Sequence, residues 1–146
     1  MTIKNTQIKI PIWFWVVCLL AITWNALGVI AYLNEAYMSP EQFAKLPIEI
    51  QELYSKRPTW VIAAFATAVF SGLLGSLLLI LRRTLATYFF VLSFIAVSLQ
   101  HSYSFLIAKA YTIVTTFNVV MAGIVFGVAL ALVFFSHSRK KLGWLN

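Results

Sequence analysis

Four long apolar runs constrain the fold of this chain more than any other feature of its sequence. They cover roughly residues 12–33, 59–81, 85–108 and 111–135. Each is close to the roughly 20 residues that a helix needs to cross about 30 Å of hydrocarbon. The chain is 62% hydrophobic and 10% charged, whereas soluble domains are about 25% charged. The sequence therefore predicts one all-α membrane domain over residues 1–146, a bundle of four transmembrane helices in contact with lipid.

The first apolar run has a competing interpretation as a cleaved signal peptide. It is longer than the apolar core of about 7–15 residues that such peptides have. It also contains Trp13, Trp15 and Trp24 and lacks an Ala-x-Ala-like end. We therefore expect a retained span, with Pro11 at the start of its helix.

The polar segment of residues 34–58 separates the first two runs and contains all four acids of the chain. Ser39 is a predicted helix N-cap, with Pro40 at the first helical position and Gln42 closing a capping box. Pro47 can open a second short helix that ends near Ser55. The segment also has apolar side chains, so we predict a short helical outer loop that lies on the membrane surface or caps the bundle.

The positions of Lys and Arg predict the orientation of the chain in its membrane. With the N-terminus inside, seven basic residues lie on the inner side and four on the outer side: Lys4, Lys9, Arg82, Arg83, Arg139, Lys140 and Lys141 against Lys45, Lys56, Arg57 and Lys109. We expect a multi-pass protein of the bacterial inner (plasma) membrane with both termini cytoplasmic. The net charge of +7 does not form one basic face, which argues against nucleic-acid binding.

Small residues recur at helical spacing along three of the spans and predict close helix packing. The fourth span has two such faces. Asn118, Ala122, Val125 and Ala129 form one, which we expect to pack into the bundle. The opposite face contains Thr116, Gly123, Gly127 and Ala131. It would then be available to a second copy of the chain, giving a homodimer, or it packs against another span of the same chain. The first and second spans each have one face of this kind. The residues are Phe14, Cys18, Ala21, Asn25, Gly28 and Tyr32 in the first span, and Ala64, Ala68, Gly72 and Ser76 in the second.

Polar side chains lie at one depth in the four predicted spans. Asn25, Gln100, His101 and Asn118, with Thr67 from the second span, fall roughly 4–8 Å to the outer side of the midplane at 1.5 Å per residue. They either bond one another and hold the helices together, or line an outward-facing polar pocket that binds a ligand. In the second case Tyr32 and Glu35 stand at its mouth. His101 is the one ionisable side chain well inside a span, so a proton-coupled step would have to use it.

The residue combinations of common catalytic and metal sites are missing from the predicted spans. No acid lies in a span interior, and His101 and His137 are on different segments. No Ser/His/acid set can be assembled at one site, and the lone Cys18 is most simply a packing residue. We expect no enzymatic activity, no metal and no cofactor.

Part of the sequence resembles a family of small bacterial four-span membrane proteins, many of them labelled as sugar transporters. The similarity covers most of residues 13–83, and one difference is Ala31, where members often carry an acid before the tyrosine. The resemblance implies the four-span fold and favours transport of a small solute. The residues that carry it are Trp24-Asn25, Gly28 and Tyr32, Ser39-Pro40-Glu41-Gln42, Pro58 with Trp60, Ser71-Gly72-Leu73-Leu74-Gly75-Ser76, and Arg82-Arg83.

Three functions follow as alternatives. The first is a small-solute transporter with an outward-facing polar pocket. The second is an accessory or assembly subunit that packs against a larger membrane complex through its small-residue faces. The third is an envelope or stress protein that acts through residues 34–58.

Overall fold

The computed structural model describes residues 9–146. Lys4, one of the basic residues predicted to lie on the inner side, is outside the described residues. The elements are α1 (Ile12–Ala36), α2 (Pro40–Ala44), α3 (Ile48–Ser55), α4 (Thr59–Ile80), α5 (Leu85–Ser102, continued by a π-helical turn at Tyr103–Ile107), a 3-10 turn (Ala110–Thr112) and α6 (Thr116–Lys141). Helices α1, α4, α5 with its π turn, and α6 are long and apolar enough to cross a membrane. The predicted four-helix membrane bundle is confirmed.

The two short helices between α1 and α4 start where the sequence predicts. The Ser39 hydroxyl accepts a hydrogen bond from the Gln42 amide (3.2 Å), and the Gln42 side chain accepts one from the Ser39 amide (3.0 Å). Helix α3 begins directly after Pro47. The Gln51 amide group donates to the Leu46 carbonyl (2.7 Å) and so ties α3 to the end of α2.

The fourth span begins at Thr116 rather than near residue 111. Lys109 adopts a left-handed backbone conformation (φ 47°) that ends the preceding helix, and a 3-10 turn follows. The Thr115 side chain then caps α6 by accepting from the Asn118 amide. Hydropathy alone does not detect such a cap, because residues 111–115 contain no charged side chain and include Ile113 and Val114. Asn118 therefore lies in the first turn of α6, far from the middle of the span.

Helix α4 is central to the packing, since it contacts α1 on one side and α5 on the other, and α5 in turn contacts α6. Close approach depends on its small residues, as the row in the sequence predicts. A Cβ atom on Gly75 would lie 3.0 Å from the Phe90 ring, and one on Gly72 would lie 2.1 Å from Asn25 Oδ1. Helices α1 and α6 are not packed along their lengths; they meet through Trp13, Phe14 and Phe135 at one end.

The two ends of the bundle differ in composition. We call the end with Arg82, Arg83, Arg139, Lys140 and Lys141 the basic end, and the end with α2 and α3 the loop end. The large side chains that are fully buried lie mostly in the half towards the basic end: Phe14, Cys18, Leu79 and Phe90, with Val61 near the loop end as the exception.

Residues 143–146 close the basic end in a way that the sequence did not predict. Gly143 (φ 71°) turns the chain back after α6, and Leu145 is buried. The Asn146 amide donates to the Arg82 carbonyl (2.6 Å), and the Asn146 carbonyl accepts from the Thr84 amide (2.8 Å). The segment is thereby bound to the turn between α4 and α5.

Candidate functional site

Asn25 joins α1 to α4. Its Nδ2 donates to the Ala21 carbonyl (2.8 Å) and to Ser76 Oγ (3.0 Å), while its Oδ1 lies against Gly72. Ser76 in turn donates to the Gly72 carbonyl (2.9 Å). The side chain predicted as a pocket wall is thus engaged in helix–helix bonding.

His101 makes a comparable link between α5 and α6. Its Nε2 donates to the Ala122 carbonyl (3.0 Å), and its ring lies beside those of Phe105 and Phe126. Gln100 precedes it and is half-buried on α5. The bond confirms that the Ala122 face of α6 turns into the bundle.

Asn118 is exposed and stands apart from the other residues of the predicted layer. It lines a shallow cavity at the loop end together with Glu49 and Ile50 of α3 and residues 112–115. Thr67 is also exposed. The structure therefore does not gather Asn25, Gln100, His101 and Asn118 around one pocket. The late start of α6 moves Asn118 outward, and the hydrogen bonds of Asn25 and His101 point them at different neighbouring helices.

A cleft between α1 and α6 takes the place of the predicted polar pocket. Its volume is about 290 Å³, and α4 and α5 form its back wall. Its lining is apolar apart from the Trp24 indole, Asn25 and Ser93. Ser93 donates to the Ala68 carbonyl (2.7 Å), so this hydroxyl is also engaged. The α1–α6 cleft offers little to a polar solute.

A second cavity, of about 530 Å³, lies at the loop end beneath α2 and α3; we call it the loop-end cavity. It brings together two of the predicted site residues, Tyr32 and Glu35. The other lining residues are Ala36, Met38, Pro40, Phe43, Tyr54, Arg57 and Ile62. Its volume is within the range of about 300–1,000 Å³ that is common for small-molecule sites.

An ion pair between Glu35 Oε1 and Arg57 Nη1 forms the polar centre of the loop-end cavity. Glu35 is in the last turn of α1, and Arg57 immediately precedes Pro58, after which α4 begins. The two side chains are only 26% and 14% exposed, respectively. Because they come from consecutive spans, the pair fixes the ends of α1 and α4 relative to each other.

Tyr54 of α3 completes this group. The Arg57 guanidinium lies over its ring, 4.5 Å from the centroid. Burial, followed by the negative charge of Glu35, raises the pKa of Tyr54 above its ordinary value of 10.0. The phenol therefore stays protonated at neutral pH. The cavity thus combines a carboxylate acceptor, a guanidinium donor and a phenol that both donates and accepts.

Tyr32 lines the loop-end cavity and packs against aromatic rings of α4. Its ring meets those of Phe65 and Phe70 edge to face, at centroid distances of 5.3 Å and 5.9 Å.

Arg57 and Tyr54 were not predicted as site residues from the sequence. A usable signal was present, since Glu35 and Arg57 are opposite charges placed directly at the ends of two consecutive spans.

Within residues 9–146, no group of three or more His, Cys, Asp or Glu side chains is arranged to hold a metal ion. No family model, no curated protein and no solved structure matches this chain. The resemblance to the small four-span family stays a prediction.

Proposed function

We propose that this multi-pass membrane protein binds a small, neutral, polyhydroxylated solute in the loop-end cavity, as the first step of transport. The observation that carries the proposal is the cavity itself, with Glu35, Arg57 and Tyr54 converging on its centre. The two charges cancel, so the site favours no net charge in its ligand. Hydroxyl groups of a monosaccharide can donate to the carboxylate and accept from the guanidinium at the same time.

The packing of the bundle supports uptake from the loop end. The basic end is closely packed around Phe14 and Leu79, whereas the loop-end cavity is open beneath α2 and α3. The α1–α6 cleft lies in the middle of the bundle. In an alternating-access cycle this arrangement corresponds to a state open on the loop side. The Lys and Arg count supports a cytoplasmic basic end in the bacterial inner membrane. Exposed aromatic side chains near both ends, among them Trp13 and Tyr111, fit the two interfacial belts.

Ligand-induced stabilisation of the detergent-purified protein tests the binding step. We expect a monosaccharide such as glucose to raise the thermal unfolding midpoint in a concentration-dependent manner. Glu35→Gln and Arg57→Gln should abolish this rise. Glu52→Gln is the matched control, because Glu52 is an exposed acid of the same loop, paired with Lys56 on the surface. A panel of monosaccharides that leaves the wild-type midpoint unchanged, or an equal rise in all variants, contradicts the proposal.

A second candidate is the accessory or assembly subunit, which the free face of α6 favours. A Cβ atom on Gly123 or Gly127 would meet nothing within 4 Å, and Ala131 is exposed on the same side. Such small-residue faces allow close approach of another helix, either from a larger complex or from a second copy of this chain.

Disulfide crosslinking from the α6 face distinguishes a second copy of this chain from a subunit of a larger complex. Gly127→Cys in a Cys18→Ser background places one thiol on the face, and Leu92→Cys on the exposed side of α5 is the control. A product of twice 16.5 kDa specific to position 127 indicates a homodimer, and a heavier specific product indicates another subunit. Equal or absent crosslinking at both positions argues against either assembly.

A further inference from the structure

The basic end carries a concentration of positive charge that no acidic side chain of the chain can neutralise. The four acids are Glu35, Glu41, Glu49 and Glu52, all at the loop end on the opposite side of the bundle. The basic end has five cationic side chains at the α4–α5 turn and the last turn of α6: Arg82, Arg83, Arg139, Lys140 and Lys141. No acidic side chain of the chain lies beside this cluster, so an anionic group of another molecule can bind there.

Arg139 is held in place by aromatic rings rather than by a carboxylate. Its guanidinium carbon lies 4.7 Å from the ring centroid of Trp144, 5.2 Å from that of Trp13 and 5.4 Å from that of Phe135. Its Nη2 donates to Ser138 Oγ (2.9 Å). Its Nε is buried and has no hydrogen-bond partner among residues 9–146. Such a buried, unsatisfied donor is a common sign of a bound water or ion.

Arg82 contacts the backbone of the same tryptophan. Its Nε donates to the Trp144 carbonyl (2.8 Å), while the Trp144 amide donates to the Arg139 carbonyl (3.0 Å). Residues 143–146 thus bring Arg82 of the α4–α5 turn and Arg139 of α6 next to one residue, Trp144. Neither guanidinium faces a carboxylate in the part of the chain that the structure describes. A planar guanidinium group can donate two parallel hydrogen bonds to the oxygens of a phosphate.

We propose that Arg82 and Arg139, which both contact Trp144, bind the phosphate of an anionic phospholipid headgroup at the basic end. The surroundings favour a lipid over free phosphate. Trp13 and Trp15 are partly exposed at the same end, and Ile12 is 82% exposed, so acyl chains of a bound lipid meet apolar side chains beside the site. Tryptophan is the residue that membrane interfaces favour at this level. This inference is independent of the solute proposed for the loop end.

Lipid-dependent stabilisation in detergent tests the site. We expect added phosphatidylglycerol to raise the thermal unfolding midpoint more than phosphatidylcholine does, and the difference to shrink with salt. Arg139→Gln and Arg82→Gln should each weaken phosphatidylglycerol binding by about tenfold, the loss expected for a charge-assisted hydrogen bond. Lys45→Gln, at the exposed loop end, should change nothing. Inorganic phosphate at the same concentration should have little effect.

Native mass spectrometry gives a second readout that does not depend on unfolding. The wild type should retain phosphatidylglycerol adducts that Arg82→Gln loses, and Arg139→Lys should retain fewer than the wild type because a lysine lacks the planar donor array. Equal stabilisation by phosphatidylcholine, or adducts that survive both Arg82→Gln and Arg139→Lys, overturns the proposal. An equal shift with inorganic phosphate alone also overturns it, because the site then binds the free ion.

Discussion

The half of the bundle near the basic end and the half near the loop end are built from equally apolar helices but are packed very differently. Near the basic end, Phe14, Leu79 and Phe90 are fully buried, and α1 and α6 meet through aromatic rings. Near the loop end, the loop-end cavity leaves about 530 Å³ unfilled, and the α1–α6 cleft leaves a further 290 Å³ or so unfilled in the middle of the bundle. Hydropathy therefore determines which segments form membrane helices, whereas side-chain size determines where these helices pack closely against one another.

The small residues of α4 explain this difference. Gly72, Gly75 and Ser76 are buried in the half of α4 towards the basic end, where they let Asn25 and the Phe90 ring come into contact with the helix. Before these small residues the same helix carries the larger Phe65 and Phe70, whose rings contact Tyr32 of α1 edge to face. We infer that the basic half supplies most of the stability and that the loop half is free to change shape when a ligand binds.

Phe14→Ala should have the largest effect on stability. Phe14 is fully buried among Trp15, Phe135 and Trp144, and truncation of a buried Phe costs about 3–5 kcal/mol. Phe134→Ala is the control, since Phe134 is 66% exposed on the neighbouring helix. The free energy of unfolding, measured in detergent, should fall far more for Phe14→Ala. Similar losses for the two variants would mean that the basic half is not the stable half.

Gly72→Ala should have an intermediate effect. The new Cβ would overlap Asn25 Oδ1 and press on Ser93 Oγ, which displaces the Asn25 amide from Ser76. Overpacking of this kind costs about 1–3 kcal/mol. Gly127→Ala is the matched control, because its Cβ would meet nothing within 4 Å. Asn25→Ala in the Gly72→Ala background should recover part of the loss. If the double variant is less stable than Gly72→Ala by the full cost of Asn25→Ala, the overlap is not the cause.

The fold could be read from the sequence almost completely, because span length, the Ser39 capping box and the small-residue row of α4 are local patterns. The two short helices start at the predicted residues. The predicted start of the fourth span was wrong because a cap decides it: α6 begins at Thr116, after the N-cap Thr115, and not near residue 111.

The candidate site was less predictable than the fold. Equal depth in the membrane does not bring side chains together, because each polar group can bond to the nearest backbone carbonyl. His101 does this at Ala122, and Ser93 at Ala68. Tyr32 and Glu35 were identified, but their partners Tyr54 and Arg57 depend on how residues 34–58 fold over the bundle. The return of Trp144 to Arg82 depends in the same way on tertiary contacts.

Glu35→Gln should have the smallest effect on stability, because it removes one partly exposed ion pair in the open half. Partly exposed pairs contribute no more than about 1 kcal/mol. Its clearer consequence concerns Tyr54. Burial raises the pKa of this phenol first, the charge of Glu35 raises it further, and Arg57 lowers it. Loss of the carboxylate leaves Arg57 without its partner, so the pKa of Tyr54 should fall.

The sign of the pH dependence follows from linkage. A phenol whose pKa is raised by folding stabilises the protein fully below its unfolded pKa of 10.0, and this contribution is lost as the pH rises through the folded value. Glu35→Gln should therefore shift the tyrosinate absorbance titration of Tyr54 to lower pH, whereas Glu52→Gln should leave it in place. Tyr54→Phe identifies the signal among the six tyrosines of the chain. An unchanged titration in Glu35→Gln would mean that burial alone controls Tyr54, and that the loop end is as closed to water as the basic end.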